Sequence, residues 1–241
     1  MYLAERGLVL SPTDLVGHLA CRHLTTLELE LASGRLGRPA VDDANAQVIR
    51  RLGEEHELAV LSEMRRTMRV VEIPPSGHPA ERERLTVEAM RDGADRIYQA
   101  TFFDGRWRGH ADFLIRRDDR PSELGAWSYD IGDTKLARHL KVGAVLQMGV
   151  YGQRLERLQG VPPEQLTVIL GTAEHVSVPY ADVAAYVRRA MADFEGWLDA
   201  PPATYPVKVR HCDICPWADA CRRRWRDDDD LVLVAFLRRD Q

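Results

Sequence analysis

Two short stretches hold residues whose types and spacing suit hydrolytic chemistry on a phosphate: Gly109-His110-Ala111-Asp112-Phe113-Leu114 and Asp130-Ile131-Gly132-Asp133-Thr134-Lys135. Side chains along a strand alternate between faces, so Asp133 and Lys135 share one surface while Thr134 turns to the other. Asp112, on the preceding strand, lies across from them if the two strands pair. Facing carboxylates suit a hard cation such as Mg²⁺ or Mn²⁺, and the backbone carbonyl of Thr134 is a further candidate ligand. Such an ion neutralises a scissile phosphodiester and activates water. Lys135 would orient that water, help to deprotonate it, or balance the phosphate charge. Asp130 falls on the opposite face of a regular strand, which makes it the poorer ligand unless Gly132 introduces a bulge.

An acid-x-Lys tripeptide is common on solvent-exposed strands, so its surroundings decide its weight. Gln147 and Tyr151, four apart on a predicted helix, project from one side. They would hydrogen-bond a phosphate or hold Lys135; spacing alone equally allows a core tyrosine with a glutamine at its rim. His56, within the helical Gly53-Glu54-Glu55-His56-Glu57, reads by itself as a solvated or salt-bridged side chain. Lys135, Arg138, His139 and Lys141 form a local basic patch able to track a nucleic-acid backbone. With a net charge of −4, the chain as a whole lacks the basic field of a passive nucleic-acid coat protein.

Sulfur forms a second cluster. Cys21 stands alone near the start, and Cys212, Cys215 and Cys221 form a C-x2-C-x5-C run near the end. In a reducing cytosol such a run binds metal rather than forming disulfides. Four thiolates suit either Zn²⁺ or an iron–sulfur cluster, and His18, His23 or His211 would favour zinc if one replaced a cysteine. Joining Cys21 to Cys212, about 190 residues apart, would clamp the two ends together. Arg222, Arg223, Arg224 and Arg226 follow as a solvated face or a second strand-contacting patch.

The elements that must position these residues read as follows. A chain of 241 residues, 45% hydrophobic, supports one full core, with or without a small appended module. Ser11-Pro12-Thr13-Asp14 opens a helix predicted to run to Gly34 with Cys21 on it. A second helix spans Asp42 to Thr67, with Val48, Leu52, Leu58, Val60 and Leu61 as its apolar positions. Met68 to Ile73 is a short strand, and a helix from Pro79 to about Gln99 follows. A hairpin turns at Asp104-Gly105, and a third strand covers Ala126 to Leu136. Lys141 to Leu158 is a helix, Leu166 to Leu170 a strand buried on both faces, and Tyr180 to Leu198 an amphipathic helix whose apolar stripe includes Tyr186. The class is α/β. No run of about eighteen apolar residues occurs, so the chain reads as soluble and cytoplasmic, without a membrane segment. It reads as a single domain over 1–241. A cysteine segment, 200–226, is joined to the 11–34 helix through the cluster, and 227–241 begins a further element.

Taken in order, these residues resemble the PD-(D/E)xK nuclease superfamily, in its RecB-like branch with a four-cysteine iron–sulfur cluster. That branch includes a CRISPR-associated exonuclease and a subunit of bacterial helicase–nucleases. The family's Gly-x-x-His, Gly-x-x-Asp, acid-x-Lys and Gln-x-x-x-Tyr segments fall on Gly53 to His56, Gly109 to Asp112, Asp133 to Lys135 and Gln147 to Tyr151. Its one early and three late cysteines fall on Cys21, Cys212, Cys215 and Cys221. The resemblance implies a restriction-endonuclease-like core, a central mixed sheet flanked by helices. It implies a Mg²⁺- or Mn²⁺-dependent deoxyribonuclease, in the manner of an exonuclease, acting on DNA with a single-stranded or free end in repair, recombination or mobile-element defence. His56 joins Asp112, Asp133 and Thr134 as a metal ligand, Gln147 and Tyr151 join the catalytic group, and the four cysteines hold a 4Fe-4S cluster. A helicase or another nuclease-complex subunit is the implied partner. The competing readings are a catalytically silent DNA-end-binding module and a zinc-stabilised interaction module.

Overall fold

Residues 1–5, 7–39 and 44–234 are described by a computed structural model of the chain. The elements are β1 (Tyr2–Ala4), β2 (Gly7–Val9), α1 (Pro12–Ala20), α2 (Arg22–Ala32), α3 (Ala44–Thr67), β3 (Val70–Glu72), α4 (Pro79–Arg91) and β4 (Arg96–Phe103). They continue with β5 (Arg108–Arg117), β6 (Ser128–Lys135), α5 (Val142–Gln159), β7 (Gln165–Leu170), β8 (His175–Pro179), α6 (Tyr180–Asp199) and α7 (Ala218–Asp227). Six strands form one sheet in the order β3-β4-β5-β6-β7-β8. Pairing is parallel at β3/β4 and β6/β7 and antiparallel elsewhere, so the sheet is mixed and helices flank it. The β6–α5–β7 unit is the crossover that parallel neighbours require.

The helix predicted for 11–34 is in fact two. Asp14 Oδ2 accepts the Ser11 amide and hydroxyl at 2.7 Å each, fixing the start of α1. Cys21 is extended, at φ −159° and ψ 110°. Its N–H donates to Gly17 O at 2.9 Å, and its carbonyl accepts from Leu24 N at 3.1 Å. One residue thus closes α1 and opens α2, and Cys21 lies in the break rather than on a helix. The helix predicted from Pro79 to Gln99 stops at Arg91, because Gly93 takes the left-handed φ of +65° and Ala94 N donates back to Ala89 O at 3.2 Å, a glycine stop. Arg96 to Phe103, rich in β-branched and aromatic residues, is thereby released as strand β4.

The β4–β5 hairpin is closed by four residues rather than by a two-residue turn. Asp104 Oδ1 accepts from Arg106 N at 2.9 Å and Trp107 N at 2.6 Å, and Gly105 supplies φ +92°. Strands β1, β2 and β8 and helix α7 were not predicted. In α3, Leu61 is buried while Val48, Leu52 and Leu58 are exposed, and Tyr186 on α6 is 56% exposed rather than part of the apolar stripe. The predicted start of the second helix at Asp42 lies outside the described residues, as do residues 235–241 of the tail.

One apolar cluster packs α4, α5 and α6 on the sheet, through residues such as Ile97, Leu114, Ile131, Met148 and Val168. A second holds α1 in the angle of α5 and α6 through Leu10, Leu15, Trp107, Leu146, Val187 and Phe194. At about 1.5–3 kcal/mol for each large side chain buried, these two clusters fix how the strands and α1 face each other. No described helix is long and apolar enough to cross a membrane.

Candidate functional site

Strands β5 and β6 are paired as far as Phe113↔Gly132. One step further in that register come Asp112 and Asp133, 9% and 6% exposed. Gly132 permits the close approach: a Cβ there would lie 2.9 Å from Ile115 Cδ1. Beyond it the strands part, and the Thr134 amide donates to Asp112 Oδ2 at 2.7 Å, as does the Thr134 hydroxyl. Thr134 therefore serves Asp112 through its amide and its side chain. Simple alternation, which aims that side chain away, misses this because the ladder has ended.

Lys135 Nζ forms an ion pair with Asp133 Oδ2. Burial, and then the charge of Asp112, push the Asp133 carboxyl up to about 7 against the pull of Lys135. Burial alone would lower the Lys135 ammonium, but Asp133 and Asp112 outweigh it and hold the group above its ordinary value. Two buried carboxylates side by side thus share one cation of the chain's own. Adjacent carboxylates with open positions for water and phosphate are how Mg²⁺ is commonly held, and the donor set fits that ion.

The α3 residues next to this pair separate. His56 Nε2 stands 3.3 Å from the carbonyl oxygen of Ile169, on β7 beyond β6. Glu57 turns the other way, toward β4, and its Oε1 accepts from Tyr98 Oη at 2.7 Å and Gln99 Nε2 at 2.5 Å. Burial and the nearby Asp112 charge raise the Glu57 carboxyl. Gln99 adopts φ +55°, and a non-glycine residue in that region marks local strain that clusters at functional sites. Sequence reasoning passed over Glu57 and Gln99. Helical spacing gives no ground for preferring Glu57 to Glu54 or Glu55, and only the adjacent His56 hinted at it.

Tyr151 and Gln147 diverge as well. Tyr151 packs over Gly109, where a Cβ would come within 2.4 Å of its Cε1, and lies 5.8 Å from the Phe102 ring in a stacked arrangement. Burial, with Asp133 and Asp112 nearby, holds its phenol above the usual range. Gln147 Nε2 instead donates to Thr13 Oγ1 at 3.3 Å, tying α5 to α1 rather than holding Lys135. Asp130 pins the start of β7: its Oδ1 accepts from Glu164 N at 2.6 Å and Gln165 N at 3.1 Å. Arg138, His139 and Lys141 are exposed on the loop that leaves Lys135.

At the C-terminal end of α1, Cys21, Cys212, Cys215 and Cys221 line one small cavity, with Leu24 and Leu27 of α2 among its apolar walls. All four are free thiols. Val209 N–H donates to Cys212 Sγ at 3.4 Å. Burial, and then the neighbouring thiols, push Cys221 up to about 11, and Cys215 is raised first by burial. Four thiolates cannot share such a place without a cation, so the donor chemistry fits a tetrathiolate-bound group. His211 lines the same cavity. His18 is engaged with Thr25 Oγ1 at 3.0 Å and His23 with Thr204 Oγ1 at 2.7 Å. The cysteine-bearing segment hangs on α2 by further bonds, Trp217 Nε1 to Glu28 Oε1 at 2.7 Å and Thr26 Oγ1 to Thr204 Oγ1 at 2.8 Å. Among the described residues, no three His, Cys, Asp or Glu side chains already converge on a common ion position, in either place. Of the trailing arginines, Arg222 pairs with Asp219 and Arg224 with Asp228, while Arg223 and Arg226 are exposed.

No protein-family model matches the sequence, and no curated protein matches it. Among solved structures, this chain is similar to one described as the crystal structure of SSO0001, with a TM-score of 0.44 and 13% identity, covering 92% of this chain and 89% of that one.

Proposed function

We propose that this chain is a Mg²⁺- or Mn²⁺-dependent nuclease that hydrolyses DNA phosphodiester bonds at single-stranded or free ends. The observation that carries the reading is the buried Asp112–Asp133 pair with Lys135 on Asp133, at the point where β5 and β6 part. A divalent ion held by these carboxylates would neutralise the scissile phosphate and make water acidic enough to attack. The residues of the chain do the rest. Thr134 fixes Asp112 through two hydrogen bonds, so one carboxylate is oriented before substrate arrives. Lys135 places a positive charge beside the phosphate and orients the water. The water oxygen forms a bond to phosphorus as the bond to the leaving oxygen breaks. Tyr151 walls the site from the α5 side, and Arg138 and Lys141 lead the backbone in.

The four thiols would hold a 4Fe-4S cluster as a structural clasp between Cys21 and the C-terminal segment. His211 in the cavity wall keeps structural Zn²⁺ as the second reading; iron–sulfur protein is coloured and zinc protein is not. Labelled single-stranded DNA incubated with Mn²⁺ and anaerobically purified protein tests the enzyme reading. Wild type should cleave, and Lys135→Ala should lose on the order of a hundred- to a thousand-fold, as when one electrostatic stabiliser is removed. Equal cleavage by the two proteins would remove the role given to Lys135, and binding without cleavage across several metals would favour a silent end-binding module.

A further inference from the structure

A cleft of about 570 Å³ lies between α6 and the extended segment around residues 202–209, at the Cys21 end of α1. It is distinct from the carboxylate centre and lies within the size range of ligand sites, about 300–1,000 Å³. Aromatic rings line it: Trp197 and Tyr186 of α6, and Tyr205 opposite. Tyr186 and Tyr205 are 56% and 40% exposed, large apolar faces turned toward solvent with no packing partner to explain them. Asp228 and Asp230 lie close enough to the Tyr205 hydroxyl to raise its pKa, after burial. Trp197 Nε1 is buried and has no acceptor, and a buried donor left without one is uncommon.

The charges of the cleft favour one kind of occupant. Arg22 opens onto it and makes no ion pair among the described residues, whereas the acid of the wall, Asp193, is already neutralised by Arg189 at 2.8 Å. Along the extended segment, Val207 and Val209 face inward, while Lys208 and Arg210 between and beyond them are exposed. Flat apolar faces with surplus positive charge at their rim are what an unpaired base and its phosphate require. Cys21, Val207 and Val209 also line the sulfur cavity, so the two share a wall. Helix α1 leads from this wall back to Thr13, which Gln147 of α5 binds.

We propose that this cleft holds one unpaired nucleotide of the strand that the carboxylate centre cuts, its base between Tyr186 and Tyr205 and its phosphate at Arg22. The proposal rests on the nuclease reading for the identity of the strand, and the test separates the two. Binding of a short fluorescein-labelled oligodeoxythymidylate is followed by anisotropy without added divalent ion, so cleavage plays no part. Tyr186→Ala should raise Kd about five- to a hundred-fold, the range for losing one stacked base. Tyr186→Trp should restore it, and Arg22→Gln should lower the salt slope by about 0.7. Since Tyr186 is exposed, its variants should melt with the wild type. If wild type binds and Tyr186→Ala binds equally well, the cleft proposal is overturned while the nuclease reading stands; that is also the result if a protein segment is the true occupant. If wild type binds no oligonucleotide, both fall.

Discussion

The carboxylate centre and the sulfur cavity are assembled by opposite means. Asp112, Asp133 and Lys135 come from two adjacent strands, and register, a glycine contact and the Thr134 hydrogen bonds set them whatever occupies the site. The four thiols come from a break between helices, a 3-10 turn, a loop and α7. Almost nothing ties one thiol to another. The first site is held by its scaffold; the second, beyond the hydrogen bonds that brace its segment, would be held by the group proposed to fill it.

The largest expected effect is therefore at the sulfur end. Removing the thiolate-bound group by chelation, or weakening it with Cys221→Ser, should free the 200–234 segment from α2 and leave the sheet intact. Structural Zn²⁺ binds zinc-finger peptides with about 10–16 kcal/mol, which sets the scale for a metal clasp against roughly 1 kcal/mol for each hydrogen bond that would remain. Limited proteolysis read by mass spectrometry should show early cuts after residue 200. An unchanged digest would mean that the cavity is ordinary packing and the contrast between the two ends is lost.

Next comes pH dependence at the carboxylate end. The raised Asp133 pKa means that the folded chain keeps a proton that the unfolded chain releases above the ordinary carboxyl value. Its contribution is fully present below about pH 4, declines as the pH rises to about 7, and is level beyond. Metal-free wild type should lose melting temperature across that window, and Asp133→Asn should flatten the curve. Added Mn²⁺ should stabilise wild type most at the alkaline end, where both acids are charged. A flat wild-type curve would show that the two carboxylates do not strain the fold.

Gly109→Ala comes third. Its new Cβ would meet Tyr151 at 2.4 Å, so ring or strand must shift, at a cost of about 1–3 kcal/mol. Chemical denaturation measures the stability, and nuclease rate should fall with it, since Tyr151 walls the pair. A silent substitution would show that the tyrosine moves freely and that the centre is less rigidly set than its hydrogen bonds suggest.

The same contrast explains what could be read from sequence. Period-two alternation placed Asp133 with Lys135, and the turn before β5 put Asp112 across from them, because strand geometry is local and repetitive. Continuous helix periodicity concealed the break at Cys21, since leucines on either side of it keep their spacing. The predicted helix runs to about Gln99 and overlaps a strand region that begins near Tyr98, so the partners of Glu57 stay out of view. The small strands β1 and β2 carry too few residues for a period to register, and α7, with four arginines among its ten residues, shows no apolar stripe. Nothing in residue order says that Thr204, Trp217 and Trp225 brace the cysteine segment, because each bond joins groups far apart in the chain or reaches backbone.

Those braces give the smallest and sharpest test. Trp217→Phe keeps the ring in its buried place but removes the donor to Glu28, 2.7 Å away. Losing one hydrogen bond to a charged group costs about 1.5–3 kcal/mol when the acceptor is left buried, and less here because Glu28 is half-buried and regains water; about 1 kcal/mol is expected. With the thiol-bound group present, that loss should be masked, since the segment stays anchored through sulfur. After chelation it should appear as faster proteolysis beyond residue 200 than in chelated wild type. If Trp217→Phe loosens the segment as much before chelation as after it, the hydrogen bonds carry the docking and the thiols do not, which would reverse the contrast drawn between the two sites.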